Sequence, residues 1–124
     1  MNAAADLRIL LQLLRGQQGG GSHAQRLDAF YAPQAEAYDA FREKLLHGRE
    51  ALIARLEPPR NARVVELGCG TGRNLDFFGH RAGTFTSLEL VDICAPLLEQ
   101  ARVRAERWPS VVRVVQADVE RYRP

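Results

Sequence analysis

The pattern of apolar positions changes character near residue 62. Before it, apolar residues recur at helical spacing; after it, short apolar runs alternate with amphipathic stretches. In residues 6–15, Leu7, Leu10, Leu11 and Leu14 form one stripe, which predicts a short amphipathic helix whose apolar side packs on the rest of the chain. A Gly/Gln linker follows at 16–21. Ser22, with Gln25 three residues on, has the spacing of a capping box and opens a helix from 23 to about 30. Pro33 starts another, running through Tyr38 and Phe41 toward residue 46. Gly48 interrupts or bends it, residues 51–56 continue the helical pattern, and Pro58-Pro59 stop it.

Residues 63–67 read as a first strand, apolar enough to be covered on both faces apart from Glu66 near its end. Residues 74–78 open a crossover helix, and 84–91 form a second strand with Phe85, Leu88 and Leu90 as its apolar members. Pro96 suits the first turn of the next helix. Leu97, Leu98, Ala101, Ala105 and Trp108 make that helix's buried stripe, with Arg102, Arg104, Glu106 and Arg107 outside. Residues 111–117 form a third strand. The alternation of strand and helix predicts an α/β unit with a parallel sheet and right-handed crossovers.

The strongest chemical signal lies between the first strand and its helix, in Val64-Val65-Glu66-Leu67-Gly68-Cys69-Gly70-Thr71-Gly72-Arg73-Asn74. Glycine lets the backbone turn sharply and lets a ligand approach where a Cβ would intrude. The spacing is G-x-G-x-G, not the G-x-G-x-x-G of dinucleotide binders, so a pyrophosphate-binding turn is the weaker reading. Open parallel sheets bind ligands at the carboxyl ends of their strands. Asp92 ends the second strand, 20 residues after Gly72, where Rossmann-like folds place a carboxylate that accepts from ribose hydroxyls. Glu89 is the rival, but it lies three positions inside the strand. A plain N-cap role is compatible with either assignment. Asp118 ends the third strand; alone it would read as a turn residue. With Glu66 and Asp92 it completes one carboxylate at each of three successive strand ends.

The E-x-G-x-G-x-G run after an apolar strand, followed by Asp92 and Asp118, resembles the class I S-adenosylmethionine-dependent methyltransferases. The resemblance implies an α/β, Rossmann-like methyltransferase fold with S-adenosyl-L-methionine as cofactor. It places Glu66 near the methionine amino group, directly or through the loop. Gly68, Gly70 and Gly72 would form the turn, and Cys69 would contribute its backbone. Asn74 would cap its helix or touch the methionine moiety. Asp92 would hold the ribose and Ile93 would pack on the adenine. Asp118 would accept from the adenine amine, and the Val119 N–H would reach a ring nitrogen. The stretch Phe30-Tyr31-Ala32-Pro33-Gln34-Ala35-Glu36-Ala37-Tyr38-Asp39 resembles the F-Y-x-x-x-A-x-x-Y-D opening of many small-molecule methyltransferases. By that likeness Tyr38, with Tyr31 second, closes the cofactor pocket; core packing is the alternative for both. Sheets of this family have seven strands. The chain is therefore expected to hold a helix and linker (1–22), a helical cap (23–60) and the first half of the cofactor domain (61–124), with its first strand an open edge.

Arg26-Leu27-Asp28-Ala29-Phe30-Tyr31 and Leu45-Leu46-His47-Gly48-Arg49-Glu50, together with the glycine turn, are similar to bacterial diacylglycerylhomoserine N-methyltransferases of betaine-lipid synthesis. This likeness implies N-methylation of a small-molecule or lipid head-group amine. It also adds a second reading of the leucine stripe, peripheral contact with the inner membrane. No general base is indicated. The other readings are a methyltransferase for a different small molecule, a non-catalytic S-adenosylmethionine-binding module and an NAD-dependent oxidoreductase.

Composition narrows the partners. A content of 46% hydrophobic and 26% charged residues fits a globular chain. The net charge is +2, and no Lys/Arg block interleaved with aromatics accompanies it, so nucleic acid is not an expected partner. Cys69 and Cys94 form no C-x-x-C, and His23, His47 and His80 are dispersed, so a metal site is not expected. Asp6 and Arg8 interrupt what would have to be a signal peptide, which points to the cytoplasm and against a disulfide.

Overall fold

The structure is a computed structural model that describes residues 3–15, 20–35 and 37–124. Most of the linker expected at 16–21, and Glu36 of the aromatic stretch, lie outside the described residues. Helices α1 (Ala3–Arg15), α2 (His23–Tyr31), α3 (Tyr38–Leu45) and α4 (Arg49–Arg55) precede the sheet. Then come β1 (Arg63–Leu67), α5 (Arg73–Phe78), β2 (Ser87–Asp92), α6 (Ala95–Ala105) and β3 (Val112–Gln116). The three strands are parallel in the order β1-β2-β3, with Val64 opposite Leu88 and Leu88 opposite Val112.

The capping box is present: the Ser22 hydroxyl accepts from Gln25 N, and Ser22 N donates to Gln25 Oε1 at 2.9 Å. The helix expected from Pro33 is broken in two. A 3-10 turn over Ala32–Gln34, with Pro33 in its first positions, precedes α3. Gly48, at φ +89°, separates α3 from α4. The second strand begins three residues later than its apolar pattern suggests. A 3-10 turn occupies Gly79–Thr84, and the Thr84 hydroxyl donates back to Arg81 O at 2.7 Å. Phe85 is buried all the same, edge-on to Phe78.

Both crossover helices pack on the sheet face that carries Leu88 and Leu90, through Leu75 and Phe78 of α5 and Leu98, Ala101 and Ala105 of α6. The opposite face is thinly covered. Val65 and Leu67 of β1 are 37% and 59% exposed, so β1 is not covered on both faces as its apolar run suggests. β1 lies at the edge of the sheet. The leucine stripe of α1 does not pack on the domain either. Ile9, 3% exposed, is the buried residue of this helix, whereas Leu7, Leu10, Leu11 and Leu14 are 43–76% exposed. No helix among the described residues is long and apolar enough to cross a membrane.

Candidate active site at the strand ends

The glycine turn leaves β1 with Gly68, Gly70 and Gly72 all at positive φ, a conformation that costs any residue with a Cβ about 1 kcal/mol or more. Three glycines at alternate positions are what this path requires. They do not have one role. A Cβ on Gly68 would meet nothing within 4 Å, and one on Gly70 only Leu97 Cδ1 at 3.9 Å, so both border open space. A Cβ on Gly72 would lie 3.2 Å from both Ala101 Cβ and Leu90 Cδ1. Gly72 therefore allows close packing against α6 and β2, and it does not border the cleft.

Four N–H groups of the turn, those of Gly68, Cys69, Gly70 and Gly72, are engaged within the chain. Gly68 N and Cys69 N both donate to Val91 O, at 2.8 and 3.0 Å. Gly72 N donates to Cys69 O, and Gly70 N donates to Asp92 Oδ2 at 2.8 Å. A phosphate cradle needs such groups free and aimed at the ligand. This turn offers space and a carboxylate instead, which disfavours the dinucleotide reading.

Asp92 works for the fold as well as facing the cleft end of β2. Its Oδ1 accepts from Cys94 N at 2.9 Å and its Oδ2 from Gly70 N. The N-cap role and a ligand role coexist, because two carboxylate oxygens have about four acceptor positions between them. Glu89 is excluded from the rivalry. It points to the opposite face of the sheet, accepts from the Tyr122 hydroxyl and pairs with Arg113.

Glu66 is the most exceptional group. Asn74 Nδ2 donates to its Oε1 at 2.8 Å, while its Oε2 is buried and has no partner among the described residues. Burial raises the carboxyl above its ordinary value, against the opposing hydrogen bond from Asn74 and the charge of Arg49. Buried unpaired acceptors are rare enough to require an explanation, and a cationic group of a ligand would supply one.

The remaining candidates are less closely gathered. Ile93 is half-buried, and its carbonyl accepts from Gln116 Nε2. Asp118 shapes the turn after β3: its Oδ1 accepts from Glu120 N at 3.0 Å, and its carbonyl accepts from Arg121 N and Tyr122 N. Val119 is 46% exposed. Cys69 is buried, and burial pushes its thiol well above the ordinary range, so it is no nucleophile. Tyr38 is held by α2 and α3, its hydroxyl accepting from Arg42 at 2.8 Å and its ring edge-on to Tyr31. Burial raises the Tyr31 hydroxyl to about 12.

Sequence reasoning missed the residues that tie the helices before the sheet to this site. Arg104, expected outside, is drawn inward to Asp39, Asp76 and Thr71 O. Arg49 donates to Asn74 Oδ1 at 3.0 Å. The only sequence signal for Asp39 was its place in the Tyr-Asp pair.

Residues 64–124 match the family model described as a methyltransferase domain. The match covers just under half of the chain, the part that forms the sheet. Two similar proteins are malonyl-[acyl-carrier protein] O-methyltransferases. The one from Salmonella typhimurium is 31% identical over 80 residues, which is 64% of this chain and 31% of that protein. The one from Enterobacter lignolyticus is 32% identical over 96 residues, 77% of this chain and 36% of that protein. The chain thus spans about a third of the length of these curated relatives. Among solved structures, a chain of the complex between the Haloferax volcanii Trm112 methyltransferase activator and a methyltransferase aligns with a TM-score of 0.51 and 23% identity. The alignment covers 72% of this chain and 38% of that one, and it supports the fold alone. The parallel α/β unit expected from the strand pattern is observed, and it is consistent with the Rossmann-like fold that the resemblance implied.

Proposed function

We propose that the methyltransferase domain binds S-adenosyl-L-methionine over Gly68 and Gly70 and transfers its methyl group to a small-molecule or lipid acceptor. The observation that carries this reading is the unpartnered Glu66 Oε2 beneath a turn whose first two glycines border open space. A methionine ammonium satisfies that oxygen, and the absence of side chains on Gly68 and Gly70 leaves room for the rest of the molecule. Asp92 would accept from the ribose hydroxyls with the lone pairs that Gly70 N and Cys94 N leave free. Ile93, Asp118 and Val119 would border the adenine. In this reading residues 23–60 form a cap over a cofactor half at 61–124.

Bound S-adenosylmethionine supplies an electrophilic sulfonium methyl. The residues of this chain then hold and orient it, and a rate gain from alignment needs no covalent nucleophile. Buried Cys69 is consistent with that.

The acceptor has two candidate classes. The likeness of residues 26–31 and 45–50 to betaine-lipid N-methyltransferases favours a lipid head-group amine. The exposed leucine face of α1 adds a surface suited to peripheral membrane contact. The two curated relatives favour a carboxylate on an acyl carrier, which would make the reaction an O-methylation. Incubating the full-length protein with methyl-labelled cofactor and each acceptor class separates them: label in the amine lipid supports the first, and label in the malonyl thioester the second. Calorimetric titration with S-adenosylhomocysteine tests the cofactor itself. An NAD-binding protein, or a chain that binds S-adenosylhomocysteine without any transfer, would show itself in the same two assays.

A further inference from the structure

Thr71 sits between Gly70 and Gly72 and is only 3% exposed. Three parts of the fold meet on it. Its hydroxyl donates to Asp39 Oδ1 at the start of α3. Its carbonyl accepts from Arg104 Nη1, near the end of α6, at 2.7 Å. Arg104 Nη2 then closes the triangle on Asp39 Oδ2 at 2.6 Å. The same guanidinium places Nε 2.9 Å from Asp76 Oδ2 on α5. All three charged side chains are about one-fifth exposed, so bulk water and salt screen them less than surface pairs.

Two further bonds run beside this triangle. Arg73 Nε donates to Glu43 of α3, and Arg49 of α4 donates to Asn74. The cap therefore attaches to the turn and its helix at residues 71, 73 and 74.

We propose that the Asp39–Thr71–Arg104 triangle is a positioning device through which the helical cap sets the shape of the glycine turn and thereby the affinity for the S-adenosyl cofactor. The inference rests on the cofactor reading above. Glycine-rich backbone has much conformational freedom to lose, and a turn with three positive-φ glycines holds one shape only if something outside it imposes that shape. Fixing Thr71 by both its hydroxyl and its carbonyl imposes the shape before ligand arrives, which removes an ordering cost from binding. Coupling of this kind is reciprocal, so cofactor should in turn hold the cap in place. Thr71, Asp39 and Arg104 are positioning residues, since none needs to touch the ligand.

The test uses Thr71→Ser, Thr71→Val and Arg104→Lys in the full-length protein. Serine keeps the hydroxyl. Valine matches threonine in shape but leaves Asp39 Oδ1 unpaired. Lysine keeps the charge but lacks the planar fork that serves three acceptors. Affinity for S-adenosylhomocysteine is measured by calorimetry well below each melting temperature. Protease cleavage within residues 20–55 is followed with and without that ligand. The expected result is binding within twofold of native for Thr71→Ser, about tenfold or more weaker for Thr71→Val and Arg104→Lys, and loss of ligand-induced protection of the cap in those two. Native-like affinity in folded Thr71→Val or Arg104→Lys, even with a lowered melting temperature, overturns the inference and leaves the cofactor reading intact. Failure of the native protein to bind S-adenosylhomocysteine overturns both.

Discussion

Asn74 bridges two half-buried charges: its amide donates to Glu66 Oε1 at 2.8 Å while its carbonyl oxygen accepts from Arg49 at 3.0 Å. The pair orients Glu66 and leaves its buried Oε2 without a partner among the described residues. Burial raises the folded-state value of Glu66, so its ionised form costs stability in the free protein, and that cost is relieved as pH falls through the raised value. Binding of an ammonium requires the ionised form. Affinity for S-adenosylhomocysteine is therefore expected to fall as pH drops, starting above the ordinary glutamate range. Glu66→Gln should bind more weakly and lose this pH dependence. A native profile that is already flat would remove Glu66 from the site.

Asp76 behaves oppositely. Burial alone would raise it, but hydrogen bonds from Arg73 and Arg104 outweigh burial and hold it below the ordinary aspartate value. Its contribution to stability is full above the unfolded value and is lost as pH falls through the lowered one. Acid melts of native and Asp76→Asn proteins should converge at low pH and separate above it, with the native protein the more stable.

The glycines of the turn should divide by function. Gly68→Ala meets no atom and costs the fold only the left-handed strain, about 1–2 kcal/mol, yet it intrudes on the open side of the turn. Gly72→Ala has the same strain plus contacts at 3.2 Å with Ala101 and Leu90, about 1–3 kcal/mol more. Gly68→Ala should weaken cofactor binding more than it lowers the melting temperature. Gly72→Ala should do the reverse. Paired melting and binding curves check both, and equal behaviour of the two variants would contradict the division.

Asp92→Ala removes a charged acceptor, worth about 2–3 kcal/mol, so binding should weaken roughly 30- to 150-fold. It should also lower stability, because Gly70 N and Cys94 N lose their partner. Calorimetry and a thermal melt together read both effects. Less than about twofold change in affinity would leave Asp92 a structural cap.

The exposed leucines of α1 are expected to give weak binding to vesicles that contain anionic phospholipid, weak because the helix has few basic residues. Flotation should diminish when residues 1–20 are deleted, a segment that spans α1. Equal flotation of both forms would end the membrane reading.

The parts of this fold governed by short-range pattern were readable in the chain. β1 and β3 fall within a residue of their apolar runs, and the Ser22–Gln25 cap is a three-residue relationship. The glycine turn was found for the same reason, since its path needs glycine at fixed positions. What escaped depends on distant partners. Arg104 looks like a solvent-facing charge on its own helix, and its partner Asp39 lies 65 residues away. In α1 five leucines outnumber Ile9, yet Ile9 is the buried one, because burial depends on the surface offered by the rest of the fold.

The order β1-β2-β3 has a consequence for isotope exchange. Gly68 N and Cys69 N both bond to Val91 O, so the entrance of the turn hangs from the central strand and not from the edge. Amides on central, doubly paired strands open only with much of the fold, whereas edges fray at lower free energy. In deuterated water, Gly68 and Cys69 should therefore exchange on the slow schedule of β2 while the outer amides of β1 exchange early. The turn would then keep its geometry through local openings that unzip the margin of the sheet.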